Sequence, residues 1–469
     1  MSDDRLAILD RRPQPGEPRD YDFPDFERST LENGLTLLRC HVPGRPLLQA
    51  QLSVRGDAGG GGTSEDPAQA GATVLTARAM SEGTAERDAV EFVEAAERLG
   101  SEMRASAGWD SLSVNVEVPR SHLAAAMPLF AELALQPSFP EREVERLRDE
   151  RLNDLQQVMA DSRRRAEKAY PAVIYADAAA YARPLGGTEE TVAPLDREVL
   201  AARHAAQMRP EASTLIVCGD LDGLALDDIV ASAFGDWSAG EGEPSVAPQA
   251  PDRTAGVRRV VVVDRPGAPQ SEIRVGHVGT PRLIDDFHAL SVMNAMLGGL
   301  FNSRLNMLLR EERGYTYGVS SGFDMRRAAG PFAVRCAVES DVTAPAVADI
   351  VAELARVGHD PVSDDELDAA RDYLIGVFPL RFETSAQVAG ALSGLVVQDL
   401  PDDELDRYRP AVAAVTADDV RAAATAHIDI ERASIVIVGD ASKCEDELRD
   451  ADYAEVEVIR DAGFGSTEE

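Results

Sequence analysis

The chain has 469 residues, 44% of them hydrophobic, and a formal net charge of −35. Its length exceeds one ordinary core and indicates roughly two to four domains, while its hydrophobic content excludes a disordered chain. The acidic excess repels phosphate backbones and anionic lipid, which argues against nucleic acid or a membrane surface as the main partner. Lysine occurs only at Lys168 and Lys443, so arginine carries nearly all the positive charge. A GC-rich genome would explain the arginine, and the acidic bias resembles adaptation to high salt; neither identifies a function. No apolar run reaches about 18 residues, and the N-terminus MSDDRLAILDRRPQPGEPRDYD lacks a basic start and an apolar stretch, so a soluble cytoplasmic protein is expected. Cys40, Cys218, Cys336 and Cys444 show no CxxC spacing and are expected to be buried, reduced thiols.

In chain order, LLQAQLSV (Leu47 to Val54) reads as a strand, followed by the turn GDAGGGGTSEDPAQAG (Gly56 to Gly71). The glycine run Gly59 to Gly62 lacks GxxxxGK[ST] and opens no βαβ nucleotide unit, so a flexible turn is expected rather than a phosphate cradle. AGATVLTARAMSEGT (Ala70 to Thr84) stands where a helix should begin. LSVNVEV (Leu112 to Val118) alternates with the period of a strand, whereas HLAAAMPLFAELAL (His122 to Leu135) follows the helical period. Trp237 to Gly256 is rich in Gly, Pro, Ser and Ala without apolar periodicity, the composition of a linker. Beyond it, EIRVGHV (Glu272 to Val278) and FAVRCAV (Phe332 to Val338) read as strands, and the acidic tail from Glu445 to Glu469 as a solvated extension.

The second part of the chain repeats the first. STLIVCGD at Ser213 parallels SIVIVGD at Ser434, each after a helical stretch bearing a histidine, His204 or His427. SAGWD ending at Asp110 parallels SSGFD ending at Asp324, AEL at Ala131 parallels AEL at Ala352, and EVERLR at Glu143 parallels ELDAAR at Glu366. The offsets stay between 214 and 223 residues, which argues for two homologous halves. Runs of strands separated by helices predict an α+β fold, each half a mostly antiparallel sheet with helices on one face. The predicted divisions are 22–238, a linker at 239–257, 258–445, and an acidic extension at 446–469.

This organisation resembles the insulinase or pitrilysin family of zinc metallopeptidases, in particular the half-length branch of mitochondrial processing peptidase and its bacterial heterodimeric relatives. The likeness runs from about Asp22 to Ala441. It rests on LENGLTLL (Leu31 to Leu38), the glycine-rich turn, SEGT (Ser81 to Thr84) and PLGGTEETVAPL (Pro184 to Leu195). In the second half it rests on QSEIRVG (Gln270 to Gly276), NAMLGGLFNSRLNMLLREERGYTYGVSS (Asn294 to Ser321) and IVIVGD (Ile435 to Asp440).

In active members the first-half helix carries HxxEH, two histidines binding zinc and a glutamate activating the metal-bound water, with a further acidic ligand some seventy-odd residues on. Carried onto this chain, the resemblance places the histidine positions on Val74 and Arg78, the base on Ala77, and the distal ligand on Asp154 or a close neighbour. The seven histidines His41, His122, His204, His277, His288, His359 and His427 are far apart and form no helical pair, so surface or satisfied buried roles are expected of them. A metal site is therefore expected to be erased, with no cofactor in this chain.

LLREERGYTYGVSS is retained. It reads as a helix end over Asn306 to Glu312, a chain reversal at Gly314, and a strand starting over Tyr315 to Ser320, with Arg310 near the helix C-terminus and Tyr317 two residues into the strand. The resemblance implies that this arginine and tyrosine touch bound peptide near the scissile bond and stabilise the oxyanion. The plainer alternative has Arg310 complementing the helix dipole and Tyr317 covering sheet surface. A non-catalytic subunit that pairs with a homologous, HxxEH-bearing zinc subunit to cut peptides or unfolded polypeptides is the expected function. The rivals are a structural scaffold and a homodimer that binds peptides without cutting them.

Overall fold

The computed structural model describes residues 19–56, 60–239 and 257–460. Most of the expected linker and part of the glycine run lie outside these residues. The first half contributes strands β1 (Phe26–Thr30), β2 (Thr36–His41), β3 (Leu47–Arg55), β4 (Glu102–Ala107), β5 (Ser111–Pro119) and β6 (Ser213–Gly219). The second contributes β7 (Val260–Asp264), β8 (Gln270–Val278), β9 (Val319–Phe323), β10 (Pro331–Glu339), β11 (Ser434–Gly439) and β12 (Val456–Ile459). The principal helices are α1 (Ala72–Ala79), α2 (Ala89–Arg98), α3 (Leu123–Leu135), α4 (Glu141–Ala160), α5 (Ser162–Ile174), α6 (Arg197–Gln207), α7 (Thr343–Arg356), α8 (Asp364–Val377), α9 (Ser385–Val397), α10 (Ala417–His427) and α11 (Glu445–Asp450).

Two six-stranded sheets form, in the orders β1-β2-β6-β3-β5-β4 and β12-β7-β11-β8-β10-β9. Five positions correspond one to one, and the repeated motif STLIVCGD/SIVIVGD falls on the matching inner strands β6 and β11. The parallel pairs are β2 with β6, β7 with β11 and β7 with β12; the rest are antiparallel. The outermost position by β2 or β7 is filled from opposite ends of the chain. In the first sheet β1 makes an antiparallel hairpin with β2, and in the second β12 lies parallel to β7. This corrects the expectation of a solvated extension from residue 446, because Glu445–Asp450 is helical and Val456, 4% exposed, inserts at the sheet edge. The four residues VEVI, with the single carboxylate of Glu457 exposed and Val456 buried, suffice as an edge strand because only one face of it must be apolar.

The halves exchange one helix each. α5 of the first half packs on β8 and β11 of the second, and α9 of the second packs on β3 and β6 of the first. The Tyr170 hydroxyl on α5 donates to the Phe332 carbonyl, and the Tyr175 hydroxyl donates to the Ala329 carbonyl at 2.9 Å. On the other side Ser385 donates to the Leu47 carbonyl at 2.8 Å, and the Ser393 and Ser53 hydroxyls are 2.8 Å apart. Each sheet is thus covered on both faces, which explains why β3 is buried from Leu48 through Val54 without alternation and β6 is buried throughout. Alternate residues of β2 and β6 belong to different cores: Leu37 and Leu215 face the first half's helices, Leu38 and Ile216 the second's. Among the described residues no helix is long and apolar enough to cross a membrane.

Candidate functional site

α1 opens where a close approach demands glycine. Gly71 has φ +98°, and Gly187, at φ +73°, would place a Cβ 2.2 Å from the Ala70 carbonyl oxygen, so the PLGG motif seats against the helix start. Glu65, 8% exposed, accepts from the amides of Gly71 at 3.0 Å and Thr73 at 2.5 Å, an acidic cap on the helix N-terminus. Burial nonetheless raises its carboxyl above the usual range, against the lowering by those hydrogen bonds and by Arg203. Arg203 ties the same turn together through Gly61, Ser64 and Thr73.

The next turn presents Val74, half-buried, Ala77, 1% exposed, and Arg78, exposed. Arg78 reaches across to α4, where its guanidinium lies 3.0 Å from Glu150. Glu150 also accepts from Arg146 at 2.6 Å, and Arg146 meets Glu82 at 2.8 Å and Glu143 at 2.7 Å. Arg146 holds the Glu150 carboxyl below its ordinary range, and Glu143 with Glu82 raises the Arg146 guanidinium. One turn further along α4, both oxygens of Asp154 are occupied by guanidinium groups, one by Arg164 at 2.6 Å and the other by Arg151. Arg164 is the main cause of the lowered Asp154 carboxyl. A hydrocarbon, a cation and one doubly paired carboxylate do not fit a zinc ion, which needs several free N, O or S donors. Among the described residues no group of three or more His, Cys, Asp or Glu is placed to hold a metal. Sequence reasoning named Asp154 but missed Glu150; its signal was its place four residues before Asp154, on the same face of a helix.

β4 is the free edge of the first sheet. Beside it runs a groove of about 840 Å³ between α2 and α4, lined among others by Arg78, Met103, Arg104 and Arg146.

In the second half the backbone widens to π-helical turns over Met307–Glu312, so the expected helix end is present in a looser form. Gly314, at φ +67°, makes the reversal. The strand starts later than expected: β9 begins at Val319, and Tyr317 sits in the preceding loop, 93% exposed. Thr316 accounts for the delay, its hydroxyl bridging to the Gly318 carbonyl and amide and closing a local turn in place of ladder bonds. Asn306 holds helix end and strand start together, donating to the Val319 carbonyl at 2.8 Å and accepting from its amide at 3.2 Å. Arg310 lies over the exposed Phe301 ring, 4.4 Å from its centroid, and 3.3 Å from the Glu311 carboxylate. Among the described residues no hydrogen bond joins Arg310 to Tyr317; both stand on one short segment, Tyr317 exposed and Arg310 half-buried beside Glu311 and Phe301.

The histidines are engaged elsewhere. His204 is hydrogen-bonded to the Ala134 carbonyl at 2.8 Å and its pKa is lowered by burial, while the matching His427 meets Asp286 at 2.8 Å. The four cysteines are buried, with Cys40 and Cys218 opposite each other on β2 and β6.

Residues 51–189 match the family model described as insulinase, peptidase family M16, and residues 194–374 match the one described as the peptidase M16 inactive domain. The chain is 27% identical over 359 residues to an "uncharacterized zinc protease" of Mycobacterium leprae, covering 76% of this chain and 79% of the other. It is 24% identical over 333 residues to the "non-peptidase homolog YmxG" of Helicobacter pylori, covering 69% and 74%. In structure it is similar to a peptidase M16 inactive domain from Pseudomonas fluorescens, with a TM-score of 0.81 and 24% identity over 89% of this chain and 98% of that one. A Helicobacter pylori protease gives a TM-score of 0.80 at 18% identity, covering 89% and 100%.

Proposed function

From a chain that belongs to the insulinase family of peptidases, M16, we propose a non-catalytic subunit of a heterodimeric zinc endopeptidase. In this reading the zinc and the general base belong to a homologous HxxEH-bearing partner, and this chain supplies chamber wall together with Arg310 and Tyr317. The observation that carries the reading is the contrast between the two halves. The ligand positions on α1 are taken by Val74 and an Arg78 engaged with Glu150 and the base position by Ala77, while Tyr317 is exposed and Arg310 half-buried at the surface. A guanidinium and a phenol held on a segment braced by Asn306 are donors suited to a developing oxyanion. The "non-peptidase" name of one relative accords with a chain that keeps the fold without the metal.

The test is reconstitution with the HxxEH homologue. Arg310→Ala and Tyr317→Phe should each lower peptide turnover about a hundredfold or more, the usual loss for an oxyanion donor of about 3 kcal/mol, with complex size and zinc content unchanged. Normal turnover in well-formed complexes of both variants would leave a scaffold. A second reading, a homodimer that binds peptides without cutting them, is favoured by the open edge of β4 beside its groove, since an unpaired strand edge accepts an extended peptide. Peptide binding by a dimer of this chain, with no activity gained on mixing, would select it.

A further inference from the structure

A second cleft, of about 450 Å³, lies where the halves meet, between α4 and α5 of the first and β10 of the second. Its size falls within the range of about 300–1,000 Å³ typical of ligand sites. Seven arginine or lysine side chains line it against two carboxylates, in a protein whose net charge is −35. The groove beside β4 balances three arginines with three glutamates, and the cleft by Gln49 and Asn115 is acidic. The cationic excess is therefore local and not a consequence of composition.

Three of the cations, Arg163, Lys168 and Arg183, have no ion-pair partner among the described residues. One of them, Arg163, sits in the first turn of α5, while Lys168 lies mid-helix and Arg183 follows the short turn Ala180–Ala182. α5 begins Ser-Arg-Arg-Arg, with the Asp161 carboxylate capping it by accepting from the Arg164 amide at 2.9 Å, so three arginines in succession follow a single acidic cap. Apolar surface from Trp109, Leu155 and Leu185 flanks the charges.

We infer that this cleft binds the carboxylates of an acidic, extended peptide segment. Arg163 and Lys168 stand five residues apart on α5, about 7.5 Å along the axis, close to the repeat of about 6.7 Å between same-side residues of an extended peptide. Carboxylates on alternate residues would meet successive cations, and the residues between them would face the apolar wall. A single phosphate would instead require donors converging on one point, whereas these are strung along a helix and a facing strand. The inference deepens the subunit reading, since such a segment would be part of the polypeptide that the complex handles.

The test uses the intact chain without any catalytic partner, so its outcome is separable from that of the reconstitution. A short peptide with glutamate at alternate positions is titrated at low salt, followed by the fluorescence of Trp109, and compared with its glutamine counterpart and with inorganic phosphate. The glutamate peptide should bind at least about tenfold more tightly than the glutamine one, the worth of one charge-assisted pair, and molar salt should weaken it. Arg163→Gln/Lys168→Gln/Arg183→Gln should abolish that preference at an unchanged melting temperature, and Arg421→Gln, exposed on α10 and away from both clefts, should retain it. Should the triple variant fold poorly, Arg163→Gln alone, at an exposed position, should still reduce binding by several-fold. Equal affinity for the two peptides, undiminished binding by the folded variants, or displacement of the peptide by an equal concentration of phosphate would overturn the inference.

Discussion

Arg274 offers a direct measure of how firmly the halves are locked. It lies mid-strand in β8, with its side chain 2% exposed under α5. Its guanidinium donates to Glu167 on α5 at 3.0 Å, to Glu272 at 2.9 Å and to the Ile273 carbonyl at 2.9 Å. Removing both carboxylates, in Glu167→Ala/Glu272→Ala, would leave a buried charge with one carbonyl as its remaining acceptor, a loss of about 3–5 kcal/mol. Arg274→Met removes the charge itself and leaves two carboxylates that are 46% and 17% exposed and can hydrate. Its cost should be smaller by about 2 kcal/mol, because orphaning a buried charge is worse than deleting it. Equilibrium urea unfolding followed by far-UV circular dichroism and by tryptophan fluorescence reads both effects. Trp237 lies in the first half's core and Trp109 at its border with the second, so fluorescence weights the first half and dichroism reports the whole. The exchanged helices predict coincident transitions in the wild type and separated ones in the double variant, which loses the Glu167–Arg274 contact that joins the halves. The reasoning fails if Arg274→Met is destabilised as much as the double variant, or if the double variant stays within about 1 kcal/mol of wild type.

Three further outcomes are expected. The isolated chain should carry well under one zinc per molecule by elemental analysis, and stoichiometric zinc that disappears in Asp154→Ala would refute the erased site. Burial lowers the folded pKa of His204 and His288 below the ordinary value, so the unfolded chain takes up more protons on acidification. Their contribution is full above about pH 6.5 and is lost below it, and His204→Gln/His288→Gln should therefore lose less stability than wild type between about pH 7.5 and 5.5; equal losses would contradict this. With a net charge of −35, counterion screening should raise the melting temperature from low to molar salt, and a flat or falling trend would speak against high-salt adaptation.

The duplication was legible because the repeated motifs occupy strands whose surroundings leave little choice. β6 and β11 are buried along their whole length, so STLIVCG and SIVIVG must be small or apolar at every position. The helix exchange was not legible. Helical periodicity shows that one face of α5 or α9 is apolar, but a stripe on a helix carries no label for the sheet it covers. β12 escaped for a related reason, since VEVI gains its place from β7, nearly two hundred residues earlier in the chain. The later start of β9 depends on a single hydroxyl, that of Thr316, which composition does not distinguish from a strand threonine.

At the positions that the family resemblance assigns to a metal, the sequence named Val74, Ala77, Arg78 and Asp154 but not the bonds they make. A metal site ties two helices together through ligands from both. Here α1 and α4 are tied by Arg78, Glu150 and Arg146, and the remaining carboxylate of the set has been drawn to α5 by Arg164. Restoring histidines at positions 74 and 78 would consequently remove one cation yet leave Asp154 committed to two others. The carboxylate can serve a metal only after Arg151 and Arg164 release it, so residues outside the ligand motif also oppose metal binding there. Arg164 also lines the cationic cleft, so the guanidinium that pairs with Asp154 borders the inferred peptide site.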